Sequence, residues 1–388
     1  MPDEISESVS TRTADLVQLR RRLHAAPELG FKEEQTATIL AERLRAAGAT
    51  VATGVGLTGV TGVIEGGAGP GPTLLIRADI DGLPVTELSG LPFASQNGAM
   101  HACGHDGHMA MAVGAIEVLS AMRDRLRGRV VVAFQPAEEI TQGALAMIDD
   151  GLLKETKPDR VIGLHLWNQI PMGRVGVNRG TVFASADAIQ IVVTGRGGHG
   201  AMPHLTVDPV ATVAQIIGTA QTIVSRELPP NEMGVVTFGR INGGTAPNVI
   251  ADSVTVEGTV RAYKPEIRER ILDALPRIAS GVASGMRAEA TFRRLYGSPP
   301  VSNDPGVADW VARTAMSVVG EDNVSEREPV SVGDDMAEFL NRVPGTYFLL
   351  GAAKEGTQPH HNARFDFDEA CLPVGTEIFV RCALDYLS

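Results

Sequence analysis

The stretch that decides the fold is "TLLIRADI" (residues 73–80), a nearly continuous apolar run bounded by turn-forming residues. Two runs of the same kind follow, "RVVVAFQP" (129–136) and "RVIGLHLW" (160–167), and helical patterns separate the later ones. Strands that are apolar on both faces and alternate with helices are typical of a parallel sheet covered on both sides. The sequence therefore predicts an α/β domain with a central, largely parallel sheet.

The pattern changes at residue 184. A strand "DAIQIVVTG", a helix "DPVATVAQIIGTAQTIVSR", the strands "GVVTFGRI" and "DSVTVEGTVRAY", a helix from Pro265 and a strand "AEATFRRLY" follow in turn. This β-α-β-β-α-β order predicts a ferredoxin-like α+β domain. Because the α/β pattern resumes after the linker "GSPPVSNDP", we expect a discontinuous first domain (1–184 and 297–388) and an inserted second domain (185–296).

Composition excludes several classes of partner. The chain has 388 residues, a formal net charge of −12 and a pI near 5.3, so it lacks the basic face that nucleic acids and anionic membranes require. No run approaches 18 apolar residues and the N-terminus is acidic and polar, which predicts a cytoplasmic protein. Three cysteines are too few for a disulfide framework.

The segment "MHACGHDGHMAM" (100–111) concentrates imidazole, thiol and carboxyl side chains, the usual metal ligands of proteins. A structural zinc site would have a second pair of Cys or His at close spacing nearby, and outside this segment the sequence has none between residues 25 and 164. We therefore expect the remaining ligands to come from the carboxyl ends of other strands, where functional groups gather in α/β sheets.

Three candidates occupy such positions. Glu138 and Glu139 follow the strand at 129–136, His165 lies near the end of the strand at 160–167, and "QPHHNARFDFDE" carries two adjacent histidines in a late loop. Neighbouring carboxylates point in different directions, so one of the two glutamates can hold a metal while the other faces the reacting atoms. Each candidate alone is also explained as an ordinary hydrogen-bonded or exposed residue.

Together with these motifs, further segments along nearly the whole chain resemble one enzyme family. They include "RRLHAAPELGFKEEQTA", "IRADIDGLPVTE", "FQPAEE", "GLHLW", "GRGGHGAMPH" and "NVIADSVTVEGTVRAY". The sequence is similar to the zinc-dependent amidohydrolases and peptidases that include hippurate hydrolases, N-acyl-amino-acid amidohydrolases and plant auxin-conjugate hydrolases. The individual motifs are weak, but their common order is specific.

The resemblance implies a metal-binding catalytic domain that holds two divalent ions per subunit, either Zn²⁺ or Mn²⁺, Co²⁺ or Ni²⁺. By position, the implied ligands are Cys103, His105, Glu139, His165 and His361. His361 is preferred to His360 because the ligand histidine of the family directly precedes Asn or a similar residue. The implied reaction is hydrolysis of the amide bond of an N-acyl amino acid by a water that bridges the metals, with Glu138 as catalytic base.

For the inserted domain, the resemblance implies a lid and dimerisation role in a homodimer or higher homo-oligomer. The histidine that matches His199 reaches the active site of the partner subunit and stabilises the oxyanion. Asn248 and Arg261 resemble residues that hold the free carboxylate of the substrate. The competing interpretation is that Arg261 is a surface strand residue and Asn248 a turn residue.

Several points stay open at this stage. Either Asp79 or Asp81 orients a ligand, and His101 and His108 are expected to support or pack beside the ligands. A segment that lines the substrate pocket in relatives reads "VGDDMAEF" here, which leaves the acyl group undetermined. Alternative functions are a dipeptidase, an N-acetyl-diaminopimelate deacetylase or, from another class, a catalytically silent metal- or ligand-binding module.

Overall fold

A computed structural model describes residues 3–388 of the chain. They divide into two compact units. The first unit runs up to Val182 and resumes at Ser302–Glu328 and Asp335–Ser388. The second unit comprises Phe183–Val301 and Pro329–Asp334.

Helices and strands are labelled in chain order. The helices are α1 (Glu4–Ser10), α2 (Thr13–His24), α3 (Glu34–Ala46), α4 (His105–Ala121), α5 (Gly143–Asp149), α6 (Leu152–Thr156), α7 (Pro209–Thr222), α8 (Pro265–Gly285), α9 (Pro305–Val319), α10 (Met336–Leu340) and α11 (Cys371–Leu387). The strands are β1 (Thr50–Val55), β2 (Gly59–Glu65), β3 (Thr73–Asp79), β4 (Arg129–Gln135), β5 (Arg160–Trp167), β6 (Val175–Gly176), β7 (Thr181–Phe183), β8 (Ala186–Thr194), β9 (Gly198–His199), β10 (Gly234–Gly243), β11 (Val249–Ile250), β12 (Ser253–Ala262), β13 (Glu289–Ser298), β14 (Val301–Ser302), β15 (Val324–Ser325) and β16 (Gly345–Gly351).

The first unit is built on an 8-stranded sheet with the order β1-β2-β4-β3-β5-β16-β6-β15. Its four central strands, β4, β3, β5 and β16, run parallel to one another, and β1 and β2 add an antiparallel edge. Every residue of β3 is buried, which fits a strand covered on both faces. The predicted largely parallel sheet is confirmed.

Helix α4 is almost entirely buried, and two glycines allow it to begin where it does. Gly104, which precedes the helix, has a φ of +89°, a conformation that residues with a Cβ rarely adopt. A Cβ on Gly107 would lie 2.4 Å from a side-chain carbon of Leu166. The first turn of α4 can therefore approach β5 closely.

The second unit contains a 4-stranded antiparallel sheet with the order β10-β12-β8-β13. In chain order its main elements are β8, α7, β10, β12, α8 and β13, which is the predicted β-α-β-β-α-β arrangement. Apolar residues of α7 and α8 form the core of this unit with those of the sheet. A separate 2-stranded ribbon joins β9 to β11.

The predicted domain roles and boundaries (1–184 and 297–388; 185–296) stay a prediction. The compact second unit additionally takes in residues 183–184, 297–301 and 329–334. Within the described part of the chain, no helix combines the length and the apolar composition that crossing a membrane requires.

Candidate metal centre

The carboxyl ends of three adjacent strands of the first unit carry acidic and imidazole side chains. Strands β4, β3 and β5 are neighbours and parallel, so their carboxyl ends meet at one edge of the sheet. Asp79 is the last residue of β3, Glu138 and Glu139 follow β4 after a short turn, and His165 lies in β5. These positions agree with the expectation that strand ends supply the site.

The motif at 100–111 reaches the same edge through the start of α4. His105 is the first residue of this helix, and Cys103 lies two residues before it. The late loop that carries His361 is attached to the motif, because the His361 backbone N–H donates to the carbonyl of Ala102 at 2.8 Å. His361 has a φ of +66°, so the loop turns sharply at this residue.

The predicted ligands fall into two groups that share the thiol. Cys103, His105 and His165 form one group, and Cys103, Glu139 and His361 form another. Within each group the potential ligand atoms lie within 4.8 Å of one another. The structure therefore brings all five predicted ligands together around Cys103, while their role as ligands stays a prediction.

Hydrogen bonds determine which nitrogen of each ligand imidazole is available. Nδ1 of His105 lies 2.9 Å from the carbonyl oxygen of Asp81, and Nδ1 of His165 lies 2.6 Å from that of Leu166. A carbonyl oxygen only accepts, so both Nδ1 atoms carry a proton and Nε2 is the nitrogen that a metal would use. His165 Nε2 faces the Cys103 sulfur at 3.4 Å.

The surroundings of His105 fit a bound cation. Its Nε2 is buried and has no hydrogen-bond partner within residues 3–388, which is costly for a polar atom unless a metal uses it. Carboxylate oxygens of Asp79, Glu138 and Glu139 lie 3.8, 3.7 and 4.0 Å from this nitrogen. Burial lowers the pKa of His105, but the carboxylates, Asp79 first, outweigh it and raise the pKa to about 10. These carboxylates thus favour positive charge at this point, which a divalent ion supplies.

His165 and Asp79 both have lowered pKa values, which leave the imidazole neutral and the carboxyl ionised. Burial, aided by the neighbouring His108, holds the pKa of His165 well below its ordinary value, so this imidazole is neutral as a metal ligand must be. Although burial opposes ionisation of Asp79, the histidines His105 and His108 and the guanidinium of Arg77 hold the pKa of this carboxyl well below its ordinary range. Asp79 is therefore ionised where His165 is neutral.

Glu138 and Glu139 both approach His105, but only Glu139 is also paired with His361 among the contacts described. An oxygen of Glu139 lies 3.4 Å from Nε2 of His361, whereas an oxygen of Glu138 lies 3.7 Å from Nε2 of His105. The turn that carries both glutamates is held by Ala137, whose φ is +50° and whose N–H donates to Glu33 at 2.9 Å. One carboxylate thus joins the Cys103 group while the other stays next to it.

Asp79 and Asp81, the two candidates for the orienting residue, make different contacts. Asp81 touches two predicted ligands: its backbone oxygen accepts from His105, and its carboxylate accepts from the backbone N–H of Glu139 at 3.0 Å. Asp79 instead accepts from Arg77 at 2.7 Å and from His108 at 2.6 Å. These contacts favour Asp81 as the orienting residue, a role that stays a prediction.

A buried polar network next to the site was missed by the sequence interpretation. Arg77 is fully buried in β3 and donates to Gln135, Tyr347 and Asp335 as well as to Asp79. Asp335, from the segment "VGDDMAEF", is fully buried, and its carboxylate is committed to internal hydrogen bonds. The available signal was the charge of Arg77 inside an otherwise apolar strand.

The remaining predicted site residues belong to the second unit. His199 and Asn248 are exposed and lie together, because Val249 pairs with His199 and the N–H of Gly200 donates to the Asn248 carbonyl at 2.8 Å. Nδ1 of His199 accepts from the N–H of Ala201 at 3.1 Å, which leaves Nε2 as the protonated nitrogen of a neutral ring.

Arg261 is a half-buried residue of β12. A Cβ on Gly333 would lie 3.0 Å from its guanidinium, so the glycine leaves room for this side chain. Burial lowers the pKa of Arg261, although the charge of Asp187 opposes this shift. A partly desolvated guanidinium of this kind favours a carboxylate partner.

Comparisons with known proteins agree with the geometry. A family model described as peptidase family M20/M25/M40 matches residues 75–385. Thermostable carboxypeptidase 1 of Saccharolobus solfataricus is 38% identical over 370 residues, covering 93% of this chain and 92% of its own. N-acetyl-L-cysteine deacetylase of Bacillus subtilis is 36% identical over 366 residues, covering 94% and 86%.

A solved structure is similar over the same extent. The YXEP protein of Bacillus subtilis, described as a dinuclear metal-binding peptidase of the M20 family, is 34% identical with a TM-score of 0.83. The similarity covers 97% of this chain and 99% of that one. Fold and sequence therefore point to the same group of proteins.

Proposed function

The chain belongs to peptidase family M20/M25/M40 and is a metal-dependent amidohydrolase, and on this premise we propose that it hydrolyses N-acyl amino acids to a carboxylic acid and a free amino acid. The observation that carries the proposal is the pair of ligand groups that share Cys103, with Glu138 beside them. A relative that is named as an N-acetyl-L-cysteine deacetylase supports this substrate class.

We propose that Cys103, His105, Glu139, His165 and His361 hold two divalent ions. Membership of Cys103 in both groups supports a bridging role for its thiolate. Imidazole, thiolate and carboxylate ligands suit Zn²⁺, Mn²⁺, Co²⁺ and Ni²⁺. When bound, such ions supply Lewis-acid activation of a water and of the amide carbonyl.

Glu138 is the proposed proton carrier. This residue is 6% exposed, and its carboxylate lies in one group with His105 and Glu139. We propose that it accepts the proton of the attacking water and donates it to the leaving amine, so that one carboxyl acts first as base and then as acid.

The second unit is proposed to bind the other end of the substrate. The half-buried Arg261 and the exposed Asn248 would hold the free carboxylate, and the Nε2–H of His199 would donate to the oxyanion. We propose that the protein is a cytoplasmic homodimer in which His199 serves the site of the partner subunit.

A substrate panel tests the proposal. N-acetyl, N-benzoyl and indoleacetyl amino acids are assayed with each of the four metals, beside dipeptides, N-acetyl-diaminopimelate and a chelated control. We expect turnover of N-acyl amino acids that stops on chelation. Turnover that survives chelation, together with an acylated Cys103 in the mass spectrum, would contradict the two-metal reaction and indicate a cysteine nucleophile.

One specific observation favours a second candidate. The relative from Saccharolobus solfataricus is named a carboxypeptidase, and the same metal centre would serve the cleavage of a peptide bond. If dipeptides are hydrolysed faster than N-acyl amino acids in the panel, the peptidase function replaces the proposed one. No turnover of any substrate by the metal-loaded protein would favour a binding module.

A further inference from the structure

Two backbone carbonyl oxygens of the first unit each accept hydrogen bonds from two imidazoles. The Asp81 oxygen lies 2.9 Å from Nδ1 of His105 and 3.0 Å from Nδ1 of His101. The Leu166 oxygen lies 2.6 Å from Nδ1 of His165 and 2.9 Å from Nε2 of His360. In each case one histidine is a proposed metal ligand and the other is not.

We propose that His101 and His360 are positioning residues of the metal centre, each acting through the carbonyl that it shares with a ligand. This inference rests on the proposed function, because it takes His105 and His165 as ligands. A carbonyl oxygen has two lone pairs, and two N–H donors occupy both of them. The direction of the carbonyl is then fixed from two sides, and with it the ring that presents Nε2 to the metal.

The backbone of Leu166 is held by a further hydrogen bond, at its N–H. Its N–H donates at 2.8 Å to Nε2 of His108, whose Nδ1 lies 2.6 Å from the carboxylate of Asp79. Three imidazoles thus engage the backbone of Leu166, two at its carbonyl oxygen and one at its N–H, which belong to the two peptide groups on either side of this residue. The orientation of the carbonyl that directs His165 is therefore over-determined.

Packing alone does not explain why a histidine is buried at position 101. His101 is 1% exposed, and its Nε2 has no hydrogen-bond partner within residues 3–388. An apolar side chain would fill the same space without burying a polar atom. The single bond to Asp81 is therefore the feature of His101 that needs an imidazole.

His360 has both a ring contact and a hydrogen bond, so the two must be separated. Its ring lies 4.6 Å from that of Trp167 and 4.9 Å from that of Phe365, centroid to centroid. The substitution His360→Phe keeps a ring in this stack but removes the donor. His360→Gln keeps a donor at the position of Nε2 but removes the ring.

A matched pair of variants can also be made at position 101. In His101→Asn the amide nitrogen takes the place of Nδ1 and keeps a donor for Asp81, whereas His101→Leu has none. The four variants and the wild type are loaded with Co²⁺ alone. The dissociation constant is measured by competition with a chelator, and the visible absorption of bound Co²⁺ reports the geometry of its ligands.

We expect His101→Leu and His360→Phe to bind Co²⁺ roughly 10-fold or more weakly with altered absorption bands, since loss of a group behind a ligand typically costs 10- to 100-fold. His101→Asn and His360→Gln should stay within about 3-fold of the wild type by the same reasoning. Wild-type affinity in the Leu and Phe variants would overturn the inference. Equal losses in all four variants would also overturn it, because the ring and not the donor would then matter.

The outcomes separate this inference from the proposed function. Circular dichroism of the metal-free variants checks folding, and Met replaces Leu or Phe if either variant fails to fold. If the wild type binds Co²⁺ but hydrolyses no N-acyl amino acid, the proposed substrate is wrong while the affinity pattern still tests the positioning role. If the wild type binds no metal, both proposals fail.

Discussion

The two units differ in how they hold most of their candidate residues, with the exposed His361 of the first and the half-buried Arg261 of the second as exceptions. In the first unit Cys103, His105 and His165 are buried, and the Nδ1–H of each imidazole is committed to a backbone carbonyl. In the second unit His199 and Asn248 are exposed on a short ribbon whose two strands have two residues each. The first arrangement is preorganised by the packed core, whereas the second depends on its local backbone only.

This difference predicts how each region responds to substitution. A buried, close-packed centre transmits any change to its neighbours, because close packing leaves little room to relax. An exposed side chain on a ribbon is removed with little effect on the rest of the fold. Changes to the buried predicted ligands of the first unit should therefore alter metal content or stability, and changes to His199 or Asn248 should alter turnover alone.

The largest effect is expected from Glu138→Gln. Loss of the proposed proton carrier should lower kcat by roughly 10²- to 10⁴-fold, the usual contribution of general acid–base catalysis. Metal content, measured by elemental analysis, should stay at the wild-type level because no ligand is lost. In the matched variant Glu139→Ala we expect metal to be lost, and metal loss in Glu138→Gln instead would reverse the two assignments.

A smaller effect is expected from His199→Ala in the second unit. Loss of an oxyanion donor typically lowers kcat by roughly 10²- to 10³-fold. Because His199 is exposed, the free energy of unfolding should change by less than about 0.5 kcal/mol. A large loss of stability or of metal would break the contrast between the two units.

Subunit mixing then shows whether His199 acts across a dimer. Glu138→Gln and His199→Ala subunits each lack one residue, so a mixed dimer has one site with both. With random exchange about half of the dimers are mixed, and roughly a quarter of the wild-type activity should return if the sites are independent. If no activity returns after confirmed subunit exchange, His199 acts at the site of its own chain or takes no part in catalysis.

The smallest expected effect concerns pH and a buried histidine of the first unit. Nδ1 of His24 lies 2.8 Å from Asp106 and its Nε2 lies 3.1 Å from Glu87, so both nitrogens face carboxylates. Although burial lowers the pKa of His24, these carboxylates, Asp106 first, raise it from 6.5 to about 9. The folded state therefore holds this proton more tightly than the unfolded chain does.

The stability that protonated His24 contributes is fully present below pH 6.5 and is lost as the pH rises through about 9. For this buried histidine we expect a loss on the order of 1–3 kcal/mol between these values. Denaturant unfolding of the wild type and of His24→Gln, at several pH values, measures the difference. Parallel pH profiles of the two proteins would contradict the expected proton linkage.

Much of the fold was predictable because burial leaves a direct trace in sequence. The apolar runs at 73–80, 129–136 and 160–167 correspond to β3, β4 and β5, and the switch to β-α-β-β-α-β near residue 184 appears as the second unit. The buried network of Arg77 and Asp335 was not predictable, since its partners are 258 residues apart in the chain.

By itself, the sequence determined the order of the strands along the chain, the types of side chain at their ends and the concentration of ligands at 100–111. Residue identity and period depend only on neighbours in the chain, so they are readable without coordinates. Only the tertiary structure decided that Asp81 contacts two predicted ligands. It also decided that the carbonyl oxygens of Leu166 and Asp81 each accept hydrogen bonds from two imidazoles. Those contacts join residues far apart in the chain and depend on local backbone directions, which no side-chain pattern encodes.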